Sequence, residues 1–207
     1  MGFFSFLHRP QTPQERVVPL FPLNTVLFPG GVLGLQVFEA RYLDMTTRCL
    51  REQSPFGVCL VSGRQEDDIL ATHPVGTLAT IRQADVEQAG ILLLTVQGGA
   101  RFRILETTHQ DDKLMLARVQ LFPHREKVAP PPERSRLLPF LKRIVSDLGP
   151  EKMAEPYDFD DAEWVGFRLT EVLPVQNLAK QKLLELSDPL ERLKILERYL
   201  EQRKLLG

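Results

Sequence analysis

The sequence predicts an α+β fold: a barrel of short antiparallel strands with one internal helix, followed by a C-terminal helical subdomain. Three observations lead there. Prolines and glycines break the large apolar run of residues 17–38 into strand-length pieces. Short segments rich in Val, Ile, Leu, Thr and Phe then recur, with turn residues between them, as far as residue 122. Beyond Pro130, Pro131 and Pro132 the strand-like alternation stops and helical spacing takes over. The chain divides accordingly into a lead-in expected to be mobile (1–15), a barrel domain (16–123), a proline-rich connector (124–132) and a helical subdomain (133–207).

Taken in order, "VVPLFPL" reads as an extended edge segment, because Pro19 and Pro22 lack the N–H that a central strand donates on both sides. "TVLF" reads as a short buried strand, "PGG" as a tight turn and "VLGLQVF" as the next strand. At Glu39 the period changes. Tyr42, Met45 and Cys49 share one stripe with Phe38, so "EARYLDMTTRCLREQ" is an amphipathic helix, closed by "SPFG". Strands follow at 56–62, 76–87, 90–99, 100–108 and 113–122, with turns at Gly98-Gly99 and Asp111-Asp112. On strand 100–108, Phe102 and Ile104 should point into the barrel, leaving Arg101 and Arg103 as a solvated outer pair.

Four helices complete the chain. "RSRLLPFLKRIVSDLG" contains Pro139 early and ends at Gly149-Pro150; "DDAEWVGFRLTEVLP" stops at Pro174; "VQNLAKQKLLELS" is the third. In "SDPLERLKILERYLEQRKLL", Asp188 is an N-cap, Pro189 suits the first helical position and Glu191 has capping-box spacing. Leu190, Leu193, Leu196 and Leu200 make its buried stripe, which serves the local bundle or, alternatively, a homodimer.

Much chemistry is excluded. The 207 residues carry a formal net charge of -1, which gives no global attraction to nucleic acid or anionic lipid. Cys49 and Cys59 have no CxxC spacing, and His8, His73, His109 and His124 are scattered, so neither a metal site nor a cofactor is expected. There is no GxxxxGK[ST] loop, no strand-linked GxGxxG and no GxSxG elbow. The acidic groups Glu66-Asp67-Asp68 and Asp158 to Asp161 read as a loop and a helix start. No catalytic residue is assigned, and the expectation is a protein that is not an enzyme. With no run of ~18 apolar residues and no signal-peptide pattern, no membrane association and a cytoplasmic location are expected.

The segments "VPLFPLNTVLFPGGVLGLQVFEARYLDM", "FGVCLV", "VGTLATI", "LLTVQGGARFRI" and "KQKLLELSDPLERL", in that order from about Val17 to Leu200, resemble the N-terminal substrate-recognition domain of the ATP-dependent Lon protease. The resemblance implies a PUA-like β-barrel followed by helices, a domain type shared with cereblon. The residues to Gly207 hold no ATPase motif and no Ser–Lys protease domain, so it carries over recognition alone, as a stand-alone module. Glu39, Arg41 and Tyr42 match the family's FExRY pattern and are expected to form a half-buried structural motif fixing the helix to the barrel.

The expected function is therefore binding of unfolded or extended polypeptide, as an accessory to a protease, a chaperone or another quality-control system. Phe21, Pro22, Phe28 and Pro29 are the candidates for a partly exposed apolar patch, with Gly30 and Gly31 letting a peptide backbone approach. The alternative for Phe28, Leu33, Leu35, Val37 and Phe38 is barrel core, with the prolines guarding an edge. Two other functions compete: an RNA-binding PUA-like module, and a small-molecule pocket between barrel and helices.

Overall fold

The structure, a computed structural model, describes residues 14–64, 70–134, 136–150 and 152–206. Most of the lead-in and the carboxylates at 66–68 lie outside the described residues. Seven strands form one sheet: β1 (Glu15–Leu23), β2 (Val32–Val37), β3 (Phe56–Arg64), β4 (Leu70–Thr72), β5 (Val75–Gln88), β6 (Ile91–His109) and β7 (Met115–Leu121). The order β1-β7-β6-β5-β3 closes into a ring because β1 also pairs with β3. β4 flanks β3, and β2 sits on β6 alone. Helix α1 (Ala40–Glu52) lies within the strand series. α2 (Leu137–Leu148), α3 (Ala162–Val172), α4 (Asn177–Glu185) and α5 (Pro189–Gln202) follow it.

The ring closes through a parallel pair, which the expectation of antiparallel strands did not contain. β1 runs antiparallel to β7 over Glu15–Pro19, then parallel to β3 over Leu20–Leu23. It is thus a bridging strand and not the expected edge. Each half is paired on one flank, so prolines fit without breaking a two-sided ladder. Glu15, placed in the lead-in by sequence, opens this strand opposite Gln120.

Two more local readings change. "TVLF" joins no ladder; Val26, Leu27 and Phe28 are buried as a loop. Gly98-Gly99 is not a turn, because β6 runs unbroken through both residues. Gly98 serves a close approach instead. Its N–H donates to the Gly31 carbonyl (2.8 Å), its carbonyl accepts from Gly30 (2.7 Å), and a Cβ there would run into the Phe28 carbonyl oxygen. The Pro29-Gly30 turn is where sequence puts it, with Gly30 at φ +74°.

The helices follow their sequence signals closely. Asp188 caps α5 by accepting from the Leu190 N–H at 2.9 Å, and Leu193, Leu196 and Leu200 are buried. Glu191 pairs with Lys194 instead of reaching back to the cap. Pro139 is the third residue of α2, within the first turn, where N–H groups lack intrahelical partners. Barrel and helices share one apolar cluster, in which Val26, Phe28, Leu60 and Val75 meet Phe167 and Leu184.

Candidate functional site

Two of the concave features that adjoin the residues singled out by sequence are large enough to hold a ligand segment. The first is a groove of about 560 Å³ at the mouth of the barrel, between the ends of β1 and β2 and the start of β4. Phe21, Pro22, Val37 and Tyr42 supply its apolar walls, and Asn24, Gln36 and Glu39 its polar rim. Phe38 stands at its edge, 62% exposed. Period-two alternation explains why: Leu35 and Val37 face the core, so the next residue faces out. Phe38 was expected on the buried stripe of α1, but it precedes the helix and obeys the strand's alternation. A Phe left in water forgoes about 1.5–3 kcal/mol that burial would return, which makes it a natural contact point.

Phe21 is 7% exposed and stacks on Tyr42 with ring centroids 4.2 Å apart, so it forms the groove's base and not a projecting anchor. Burial pushes the Tyr42 phenol above its usual range, outweighing the neighbouring Arg41. Arg41 pairs with Glu39 at 2.6 Å, lies 4.9 Å from the Tyr42 ring centre and donates to the Lys113 carbonyl at 3.5 Å. That last bond links α1 to the turn before β7.

The second feature, about 450 Å³, lies where barrel and helices meet and is lined by Pro29, Arg101, Phe122, Arg125 and Glu163, among others. The remaining sequence candidates gather at this junction. Phe28 is 0% exposed and packs on Phe167 at 5.7 Å. The Pro29 carbonyl accepts from Arg168 at 2.7 Å. A Cβ on Gly31 would collide with the Glu171 side chain, so the space beside this glycine belongs to α3. Phe28, Pro29, Gly30 and Gly31 therefore hold the barrel to the helices, while Phe21 and Pro22 face the groove.

The junction rests on arginines that sequence reasoning did not place there. Arg101 points out of the barrel as alternation demands, yet it is 6% exposed and not solvated, because the helices cover it. It donates to the carbonyls of Leu184 and Leu186, each at 2.8 Å, and to Glu163 at 2.9 Å. Arg192, fully buried, donates to the Leu183 carbonyl at 2.9 Å and also to Leu186. The two guanidinium groups together cap the C-terminus of α4, where unpaired carbonyls and the helix dipole favour cations. Burial holds both below the usual arginine range. Arg168 pairs with Glu171 at 2.8 Å, and burial pushes that carboxyl up. A faint signal existed in the sequence: no glycine follows α4 to close it. With its donors committed, Arg101 is no phosphate-binding partner for Phe102, which is buried.

Among the described residues no cluster of His, Cys, Asp or Glu is arranged to hold a metal ion, and no helix is long and apolar enough to cross a membrane.

Comparison with known proteins adds to this geometry. A family model described as the ATP-dependent protease La (LON) substrate-binding domain matches residues 17–202. A Lon N-terminal domain protein from Xanthomonas campestris has a crystal structure that superposes with a TM-score of 0.73 at 35% identity, covering 89% of this chain and 98% of that one. The N-terminal domain of a Mycobacterium avium complex Lon protease shares the fold, with a TM-score of 0.62 at 22% identity, covering 90% of this chain and 98% of that one. Lon protease of Anaeromyxobacter dehalogenans is 33% identical over 115 residues, 54% of this chain and 14% of its own length. Cereblon of Gallus gallus is 32% identical over 114 residues, 53% of this chain and 25% of its own length.

Proposed function

The chain belongs to the ATP-dependent protease La (LON) substrate-binding domain family, and we propose that it binds extended or unfolded polypeptide in the groove beside Phe38, in the service of protein quality control or proteolysis. One observation carries this reading: in a chain of this family, an exposed aromatic residue borders an apolar groove with a polar rim. A shallow surface of that kind suits ligands whose shared property is exposed apolar side chains and not one sequence. The chain spans about 14% of the Lon proteases it matches, so the chemistry of those enzymes is not part of the proposal.

The test is fluorescence anisotropy with a labelled, permanently unfolded polypeptide, its folded counterpart and an unstructured RNA as competitors, at two salt concentrations. Salt-resistant binding to the unfolded chain alone is expected, together with at least tenfold weaker binding by Phe38→Ser at unchanged thermal stability. Binding of RNA instead, weakening steeply with salt, overturns the proposal.

A further inference from the structure

β2 carries an open edge. It pairs with β6 over Val32–Val37, and no strand among the described residues lies on its other side. The Gly98 N–H donates to the Gly31 carbonyl, so, counting in twos along an antiparallel ladder, Leu33, Leu35 and Val37 direct their backbone groups to β6. Val32, Gly34 and Gln36 direct theirs away. Folded proteins commonly blunt such an edge with proline, lysine or a bulge, and β2 has none of these.

Gly34 adds a second observation. Its φ is not positive, and a Cβ there would meet nothing within 4 Å, so neither backbone conformation nor packing within this chain requires glycine. Gly98 and Gly31 are different, each having a neighbour of this chain in its space. At Gly34 the exposed face beside the edge therefore carries no side chain, and nothing there obstructs the side chains of a neighbouring strand.

The charge beside the edge divides along its length: Arg82 bonds Gln97 opposite Val32, and the carboxylates gather at the Gln36 end. Gln36 bonds across the sheet to Glu87 at 2.9 Å, and Gln83 bonds Asp85 at 2.8 Å. Neither carboxylate has a cationic partner among the described residues, and both lie on the exposed face of the sheet, beside the row that runs from Asp85 through Leu93 to Gln36. Leu93, between them, is itself 39% exposed.

We propose that the client chain docks as an added strand on the open edge of β2, its backbone paired with Val32, Gly34 and Gln36. Alternate apolar side chains enter the groove at Phe38, and a Lys or Arg meets Glu87. The idea rests on the polypeptide-binding reading and specifies its mode: main-chain hydrogen bonds give affinity that is blind to sequence, while the groove and the carboxylate set which segments are preferred. The preferred occupant is an extended, apolar-alternating segment carrying a basic residue.

The experiment titrates the whole protein with a ten-residue peptide of alternating Val and Leu with interspersed Lys. Two counterparts are N-methylated, each on one of the two alternating sets of amides, and a third carries Glu in place of Lys. One methylated set is expected to weaken binding at least tenfold while the other leaves it unchanged. Binding should also slow amide exchange of Gly34 and Gln36 at least tenfold. The Glu peptide should bind several-fold more weakly at low salt, with the gap closing as Glu87→Gln is introduced. If both methylated peptides bind like the parent and neither amide is slowed, strand addition is overturned while polypeptide binding stands. If only the Glu and Lys peptides are indistinguishable, the basic preference is overturned. If no peptide binds, the underlying reading falls and this one with it.

Discussion

The interior of the barrel and the cluster that joins barrel to helices are both buried at their centres, yet they are built from opposite materials. Inside the ring the large side chains are apolar, with Leu20, Leu78, Phe102 and Val119 at its centre. The junction surrounds Phe28 and Phe167 with Arg101, Arg168 and Arg192, and each arginine donates to a backbone carbonyl. An apolar core is specified mainly by volume, since packing is non-directional and tolerates swaps of similar size. A junction held by guanidinium groups is specified by direction, because each donor must find its acceptor or leave a buried group unpaired. This explains how four helices with ordinary amphipathic faces seat on the barrel in one orientation. Arg101 reaches from the barrel to the end of α4, Arg192 reaches the same end from α5, and Gln181 of α4 donates back to the Val75 carbonyl at 2.9 Å.

The contrast is open to a direct attack by volume-conserving substitution. Arg101→Met keeps the bulk but strands the Leu184 carbonyl and Glu163 and leaves Leu186 to Arg192 alone, and it should cost about 3–5 kcal/mol, the range for breaking a buried charged arrangement by removing one partner. Urea titration followed at the single tryptophan, Trp164 in α3, should show the helical subdomain unfolding ahead of the barrel signal in circular dichroism. A single coincident transition at the parental midpoint would show that direction matters no more at the junction than in the core.

Gly98→Ala tests the next largest effect. The added methyl meets the backbone of Phe28, which cannot rotate aside, so a loss of about 1–3 kcal/mol is expected as overpacking. Leu94→Met, in the apolar cluster shared with α1, should cost less than about 1.5 kcal/mol on the same measurement. Equal losses would erase the distinction between a shape-limited and a volume-limited site.

The smallest expected effect appears with pH. Burial pushes the Cys59 thiol up to about 12. The unfolded thiol loses its proton near ~8.5, so above that pH the unfolded state binds fewer protons than the folded one and stability falls as pH rises. Between pH 8.5 and 9.5 this amounts to about 1 kcal/mol, approaching the limit of ~1.4 kcal/mol per pH unit. Chemical denaturation of Cys59→Ala across the same range should lack that slope. A slope unchanged by the substitution would assign it to other groups.

The candidate groove is unevenly legible in the sequence, for a physical reason. Phe21, Pro22, Glu39 and Tyr42 were singled out and do line it. Phe38 reads as core from sequence because it fits the stripe of α1 as well as the end of β2, and a residue at the boundary between two periods satisfies both. Phe28, Pro29, Gly30 and Gly31 read as a candidate surface from sequence because nothing local announces the layer that covers them. Arg101 was read as solvated for the same reason: alternation states which side of a sheet a residue takes, but not what lies there.

What the chain dictates locally therefore stands in the structure: the five helices, the proline and aspartate that open α5, the turn at Gly30 and the inward side taken by Phe102. Those features depend on hydrogen bonds and periodicities spanning a few residues, which the sequence displays directly. The tertiary structure alone decided that β1 bridges β7 and β3, that Gly98 admits a loop, that arginines lock the helices to the barrel and that β2 has no second neighbour among the described residues. Each of these joins residues far apart in the chain, where partners are chosen by closure and packing of the whole and no local pattern records the choice.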